Sequence, residues 1–268
     1  MVRIAVAGAA GRMGGRIIHT IACQERAELA GAFEFAGHPA VGRSIAEVAG
    51  LAGAQGAVEG DPAAALAKAD ALIDFTAPEA TLAHLALAAE MGKAAVIGTT
   101  GLNAGQVERL HELARKVPVV YAPNMSVGMN LMFKLAGMMA KVLGEGYALE
   151  LVEAHHDQKK DAPSGTAVKL IAELAAARGW DPEKVCQHGR HGLVGARPQE
   201  EIGVGVIRGG DIVGDHTVYF IGQGERLELV HRAHSRDTFA QGAVRAALWV
   251  ASREPGLYDM QDVLGLKG

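Results

Sequence analysis

Short apolar runs alternate through the first half of the chain with longer stretches whose apolar positions recur at helical spacing. Val2 to Ala7 is β-rich and ends at Gly8; Ile17, Ile18 and Ile21 then mark a helix, and Leu29 to Phe33 is a second strand ending at Glu34. Ala71 to Thr76, a run beginning at Ala94 and Val117 to Ala122 are further strands. Helices are expected between them from Pro78 to about Met91 and from Ala104 to Arg115. Repeated βα units predict an α/β domain built on a doubly wound parallel sheet. Ligands of such sheets lie beyond the carboxyl ends of the strands. Gly8 to Met13, Phe75-Thr76, Gly98 to Thr100 and Ala122 to Met125 are therefore expected to share one cleft.

The second half has a different rhythm. A helix from Asn130 to Leu143, a strand from Ala148 to Val152 and a helix from Gly165 to Arg178 precede a polar, irregular stretch from Gly179 to Glu200. Strands follow at Ile202 to Ile207, Ile212-Val213, Thr217 to Ile221 and Leu227 to His231, with hairpin-type turns at Gly209-Gly210 and Gly222-Gln223-Gly224. This predicts a smaller α+β domain with a mixed or antiparallel sheet. Its span is 127–235, and residues 1–126 form the first domain, completed by 236–268 through an alanine-rich helix from Phe239 to Ser252.

Composition narrows the function classes. A net charge of -4 and 49% hydrophobic residues argue against a nucleic-acid or membrane-surface protein, and no apolar run reaches spanning length. A cytoplasmic protein is expected. Aromatics at 4% and 35 glycines fit helices on a parallel sheet better than a β-sandwich. Cys23 and Cys186 are far apart without CxxC spacing, so neither a disulfide framework nor a zinc knuckle is indicated. Cys23 reads as a small buried helical residue.

Two stretches carry candidate chemistry. Gly8-Ala9-Ala10-Gly11-Arg12-Met13-Gly14 lies between a strand and a helix, and Glu34 comes twenty residues after Gly14. That order is a dinucleotide-binding βαβ unit: glycines admit a pyrophosphate, helix N–H groups bind it, and the acid accepts ribose hydroxyls. Its GxxGxxG spacing also fits an ordinary βα turn, and Thr99-Thr100 or Asn124 could serve only as local caps. The second stretch, Glu153 to Ala167, packs His155, His156, Lys159, Lys160 and the Ser164-Gly165-Thr166 turn behind an apolar strand. Imidazole and ammonium groups give protons, and a turn opening a helix offers N–H groups to an anion. Such a site suits a small acidic substrate and reductive or acid–base chemistry. Adjacent strand residues face opposite ways, and no third ligand lies at suitable spacing, so His155-His156 is not expected to bind a metal.

These stretches resemble the dihydrodipicolinate reductase family nearly end to end. The likeness extends through Ile73-Asp74-Phe75-Thr76, Ile97 to Gly101, Asn124 to Asn130, Arg208 to Thr217 and Ser235 to Ala240. The Glu-Ala-His-His…Lys…Asp-Ala-Pro-Ser-Gly-Thr-Ala run is specific to that family. The resemblance implies reduction of 4-hydroxy-tetrahydrodipicolinate, a small cyclic dicarboxylate, by hydride from NADH or NADPH, on the route to diaminopimelate and lysine. It makes His155 and Lys159 proton donors and leaves Lys160 on the surface. His156, Ser164, Gly165 and Thr166 match the substrate site, and Thr100 and Arg236 positions that reach substrate as the domains close. Gly8, Ala9, Ala10, Gly11, Arg12, Met13, Glu34, Gly98, Thr99, Thr100, Ala122, Pro123, Asn124 and Met125 match the cofactor site. A homotetramer assembled through the second domain's sheet is implied. Phe35 stands where some members have an arginine for the 2′-phosphate, which leaves Glu34 to favour NADH. Two rival readings fit less of the chain. A sugar- or amino-acid-type oxidoreductase would carry a lysine followed by a distant histidine, and an NAD(H)-sensing module has no use for proton donors beside an anion cradle.

Overall fold

A computed structural model describes residues Met1–Lys267. The first half runs β1 (Val2–Ala7), α1 (Gly14–Ala22), β2 (Ala27–Phe33), α2 (Ile45–Ala49), α3 (Pro62–Ala67), β3 (Ala71–Asp74), α4 (Pro78–Glu90), β4 (Ala94–Ile97), α5 (Ala104–Ala114) and β5 (Pro118–Tyr121). Next come α6 (Val127–Leu143), β6 (Ala148–His155), α7 (Gly165–Arg178), α8 (Pro182–Val185), β7 (Cys186–His188), β8 (Ile202–Arg208), β9 (Gly214–Ile221) and β10 (Arg226–Ala233). The chain ends with α9 (Asp237–Val250), β11 (Gly256–Tyr258) and α10 (Met260–Val263). These elements form two compact units: Met1–Val127 together with the segment from Arg236 onward, and Gly128–Ser235.

In the first unit the strands are parallel and ordered β11-β5-β4-β3-β1-β2. Strand side chains alternate between two cores, as the pleat requires. Ile4, Val6, Ile73, Val96 and Val120 pack with α1, α9 and α10, whereas Ala5, Ala7, Leu72, Ala95, Ile97 and Val119 pack with α3, α4 and α5. Burial on both faces explains why the central strands read as unbroken apolar runs. The order reverses at β1, which sits between β2 and β3, so the switch point lies beyond the carboxyl ends of β1 and β3. The alanines of α9 join the first of these cores. Their small side chains suit close helix–sheet packing, and Gly242 has no room for a Cβ against the Met125 carbonyl.

The second unit is a mixed sheet, β10-β9-β6-β8-β7, with β6 parallel to β8 and antiparallel to β9. One face carries Leu149, Leu151, Ile202, Val204, Val218 and Phe220, covered by the apolar sides of α6 and α7. On the opposite face Ile207, Ile221 and Val230 are exposed.

Four expectations are corrected. Gly209-Gly210 does not close a hairpin, because β6 lies between β8 and β9 and the connection crosses over it. Ile212-Val213 is not a strand; the Ile212 carbonyl instead accepts from His156 N–H, and β9 begins at Gly214. The stretch Gly179 to Glu200 is not wholly irregular, since Asp181 caps α8 and β7 adds an edge strand beside β8. Cys23 lies just past the end of α1 and is exposed rather than buried. Gly222 to Gly224 does join the antiparallel pair β9 and β10. Among the described residues no helix is long and apolar enough to cross a membrane.

Candidate active site

In the first unit the glycine turn sits at the switch point. Gly8 has φ +66, a backbone state that favours glycine, and a Cβ on Gly14 would lie 2.1 Å from the Gly8 carbonyl oxygen. These two constraints let α1 begin tight against β1, with the N–H groups of its first turn at the strand end. A cavity of about 290 Å³ is lined there by Gly8, Gly11, Arg12, Met13, Glu34 and Thr76, among others. The Glu34 carboxylate accepts from Ala10 N–H at 3.0 Å, so the acid at the end of β2 is tied to the turn. Ala9 is buried and Arg12 is exposed. Beyond β4, Thr99 is buried and Thr100 exposed. Beyond β5, Ala122 and Met125 are buried, Pro123 is exposed, and Asn124 Oδ1 accepts from Ser126 N–H at 2.9 Å. Arg236 precedes α9 in the same unit.

In the second unit the donors cluster at the carboxyl end of β6. Glu153 is wholly buried and makes four bonds. Its Oε2 accepts from His155 Nδ1 (2.6 Å) and Arg208 Nη1 (2.8 Å), and its Oε1 from Arg208 Nη2 (2.9 Å) and Ser164 N–H (2.9 Å). The arrangement follows from period-two geometry: Glu153 and His155 share a face of β6, and Arg208 is paired with His155 across to β8. Ser164 caps α7 by accepting from Ala167 N–H at 3.1 Å, and its hydroxyl also meets His216 Nε2 at 3.1 Å. Gly165 and Thr166 then open the helix, where N–H groups lack intrahelical acceptors. Lys159 pairs with Asp161 Oδ1 at 2.9 Å, and Lys160 is exposed. His156 is half-buried, held by its N–H on Ile212.

Burial fixes the charge states. Desolvation would raise the Glu153 pKa, but Arg208, His155 and the Ser164 N–H outweigh it and keep the carboxyl below its ordinary range. For His155, burial depresses the pKa more than Glu153 raises it, aided by the charges of Lys159 and Arg208. The ring is therefore neutral at neutral pH, with Nδ1–H on Glu153 and Nε2 carrying a lone pair. His216 stands edge-on to His155, with centroids 5.2 Å apart, and burial pushes its pKa down to about 3.

A buried neutral histidine makes acid stability directional. Above about pH 6.5 neither the folded nor the unfolded form protonates at His216. Below it only the unfolded form does, until the pH nears 3. Stability should thus fall by about 1.4 kcal/mol per pH unit on acidification from this residue alone. Urea unfolding between pH 7.5 and 5 should show the decline, flattened in His216→Gln; equal slopes would contradict it.

Residue-by-residue reading missed Glu153, Arg208 and His216 as working parts. Glu153 was signalled by its two-residue spacing from His155 on a strand. Arg208 and His216 come from strands more than fifty residues away, and only the β8-β6-β9 pairing brings them in. Among the described residues no group of three or more His, Cys, Asp or Glu could hold a metal.

Comparison with known proteins follows the same division of the chain. Residues 2–125 match the family described as "Dihydrodipicolinate reductase, N-terminus", and residues 128–264 its C-terminal counterpart. The 4-hydroxy-tetrahydrodipicolinate reductases of Citrifermentans bemidjiense and Geotalea uraniireducens are each 53% identical over 267 residues, covering 100% of this chain and 100% of the relative. A solved structure, "Dipicolinate bound Dihydrodipicolinate reductase from Paenisporosarcina sp. TG-14", aligns with TM-score 0.75 and 27% identity over 98% of both chains. Scyllo-inositol dehydrogenase from Lactobacillus casei, at 14% identity and TM-score 0.62, shares the fold alone. With both halves matched and full-length relatives at this identity, the chain belongs to the dihydrodipicolinate reductase family.

Proposed function

We propose that the protein reduces 4-hydroxy-tetrahydrodipicolinate to tetrahydrodipicolinate with hydride from a nicotinamide cofactor, in the cytoplasmic route to diaminopimelate and lysine. The observation that carries this reading is the buried Glu153 carboxylate, which ties a histidine with an unused Nε2 to the N-terminus of α7. A proton donor is thereby held in fixed relation to a carboxylate cradle.

The first unit fits a dinucleotide, because Gly8 and Gly14 let α1 start tight against β1 and so set its first N–H groups beside the cavity that Gly8, Gly11, Arg12, Met13 and Glu34 line. Gly8, Ala9, Ala10, Gly11, Arg12, Met13 and Glu34 would hold its phosphates and ribose, and Gly98 to Thr100 with Ala122 to Met125 the nicotinamide end. Once bound, the nicotinamide supplies a hydride to C4 of the substrate ring. Gly165 and Thr166 bind one substrate carboxylate through backbone N–H groups, with Ser164 fixing the cap. Lys159 pairs with the substrate's charge and is the second donor, while His156, Thr100 and Arg236 complete the contacts. His155 is neutral before substrate arrives. The dianion offsets the positive charges of Lys159 and Arg208, so the ring takes up a proton on Nε2 and gives it up in the reaction, in which hydride adds at C4 and the 4-hydroxyl leaves as water; one hydride and one proton are consumed per turnover.

On the cofactor, we propose that NADH is used at least as well as NADPH. A carboxylate at Glu34 would repel a 2′-phosphate, and Phe35 beside it is 68% exposed with no charge to offer. Phe35→Arg should raise kcat/KM for NADPH relative to NADH by about tenfold, the scale of one charge-assisted phosphate contact. Unchanged NADPH kinetics would show that this position does not set the preference. A homotetramer built on the sheet of the second unit accords with the exposed Ile207, Ile221 and Val230 on its uncovered face. The reductase reading itself is tested by following oxidation of each cofactor with enzymatically generated substrate; no turnover with either would overturn it.

A further inference from the structure

A second buried carboxylate, Asp74 at the end of β3, has no part in the chemistry above. It is wholly buried, and burial alone would raise its pKa; bonds from His84 and Thr76 outweigh this and keep it below its ordinary range. Oδ1 accepts from Thr76 N–H (2.8 Å), Thr76 Oγ1 (2.7 Å) and Thr81 Oγ1 (3.0 Å), and Thr99 Oγ1 lies at 3.4 Å. Oδ2 takes His84 Nδ1 at 2.7 Å, and that ring is braced edge-on against Phe33, centroids 4.9 Å apart. The Thr81 and Thr99 hydroxyls are 2.7 Å apart, so Thr81 bridges the carboxylate to the β4 turn.

The donors on this carboxylate come from the turns beyond β3 and β4, Thr76 and Thr99, and from α4, Thr81 and His84. Thr76 lines the cavity at the glycine turn, and its Cγ2 would be 2.9 Å from a Cβ on Gly8, so it packs directly beneath that turn. Thr99 sits between Gly98 and Thr100, where the backbone turns after β4. We infer that Asp74, braced by His84, is a positioning residue for cofactor binding: it fixes Thr76 against Gly8 and, through Thr81, locks the Gly98–Thr100 turn. The inference rests on the reading of the first unit as the cofactor-binding one.

Thr81 gives the cleanest test, because valine keeps its shape and serine keeps its hydroxyl. NADH affinity, read from the fluorescence of the bound nucleotide, should weaken about tenfold in Thr81→Val and Asp74→Asn, the scale of a lost hydrogen bond to a charged group. Thr81→Ser should bind like wild type, and NADPH affinity should weaken in step with NADH affinity in Thr81→Val. Melting temperatures check that each variant is folded. Wild-type NADH affinity in Thr81→Val would overturn the inference, as would a failure of Thr81→Ser to restore binding. A wild-type protein that binds neither NADH nor NADPH would overturn the cofactor reading, and this inference with it.

Discussion

His155→Gln should lower turnover by about two orders of magnitude or more, the contribution of a positioned general acid. Glutamine can still bond Glu153 and fill the strand end, but it cannot carry a proton at the position of Nε2. Cofactor affinity should be unchanged, since the cofactor contacts assigned above lie in the first unit. Lys159→Ala should lose turnover on a similar scale, because its ammonium group both offsets the dianion's charge and donates. Steady-state kinetics separate the roles: a fall in kcat marks proton transfer, whereas a loss confined to substrate KM would show that these residues only bind. The pH dependence supplies a second check. A dicarboxylate that raises the pKa of His155 takes up a proton on binding, so wild-type affinity should fall as pH rises, and His155→Gln should lose most of that slope.

Glu153→Gln is expected to be nearly as damaging, by a different route. An amide in place of the carboxylate keeps the volume but turns one acceptor atom into a donor. In either orientation its NH2 group faces Arg208, donor against donor; at the Oε1 position it also meets the Ser164 N–H, and at the Oε2 position it faces His155 and forces the ring to move its proton from Nδ1 to Nε2. In the second case Nε2 no longer presents the lone pair that must accept the proton on substrate binding. Turnover should fall by about two orders of magnitude. Breaking a buried ion pair by removing one charge should also destabilise the fold by about 3 kcal/mol. Arg208 then loses its directly bonded counter-charge, although the Asp161 and Ile207 carbonyls still accept from it. Chemical denaturation measures the second effect and initial rates the first. Wild-type rates in this variant would show that Glu153 does not govern the histidine.

Much of the first unit was legible because its central strands are covered on both faces and so read as unbroken apolar runs. Gly8, Gly14 and Glu34 could be placed in order along the chain, and the switch-point rule gave their common location. The second unit was harder to read. Its strands are one-sided, and pairing is set by which strand flanks β6 rather than by the turn between sequence neighbours. Gly209-Gly210 looked like a hairpin for that reason, although the chain crosses β6 there. The tightest contacts of the candidate site depend on the same pairing: nothing local tells Arg208 that its partner is Glu153. β11, which extends the first sheet beside β5, was missed because Gly256–Tyr258 is too short to show any period. Asp74 shows another limit. The sequence places it inside a strand, Ala71 to Thr76, without telling whether it is buried, and only the threonines folded over it reveal that it is.

The central claim is that hydride passes from a nicotinamide cofactor to C4 of a cyclic dicarboxylate on this protein. NADH deuterated at the transferable position, supplied with enzymatically generated 4-hydroxy-tetrahydrodipicolinate, tests this in one product analysis. Tetrahydrodipicolinate carrying one deuterium at C4, formed in step with NADH oxidation and slowed with turnover in His155→Gln, is the predicted result. Unlabelled product, or label at another carbon, would contradict the account.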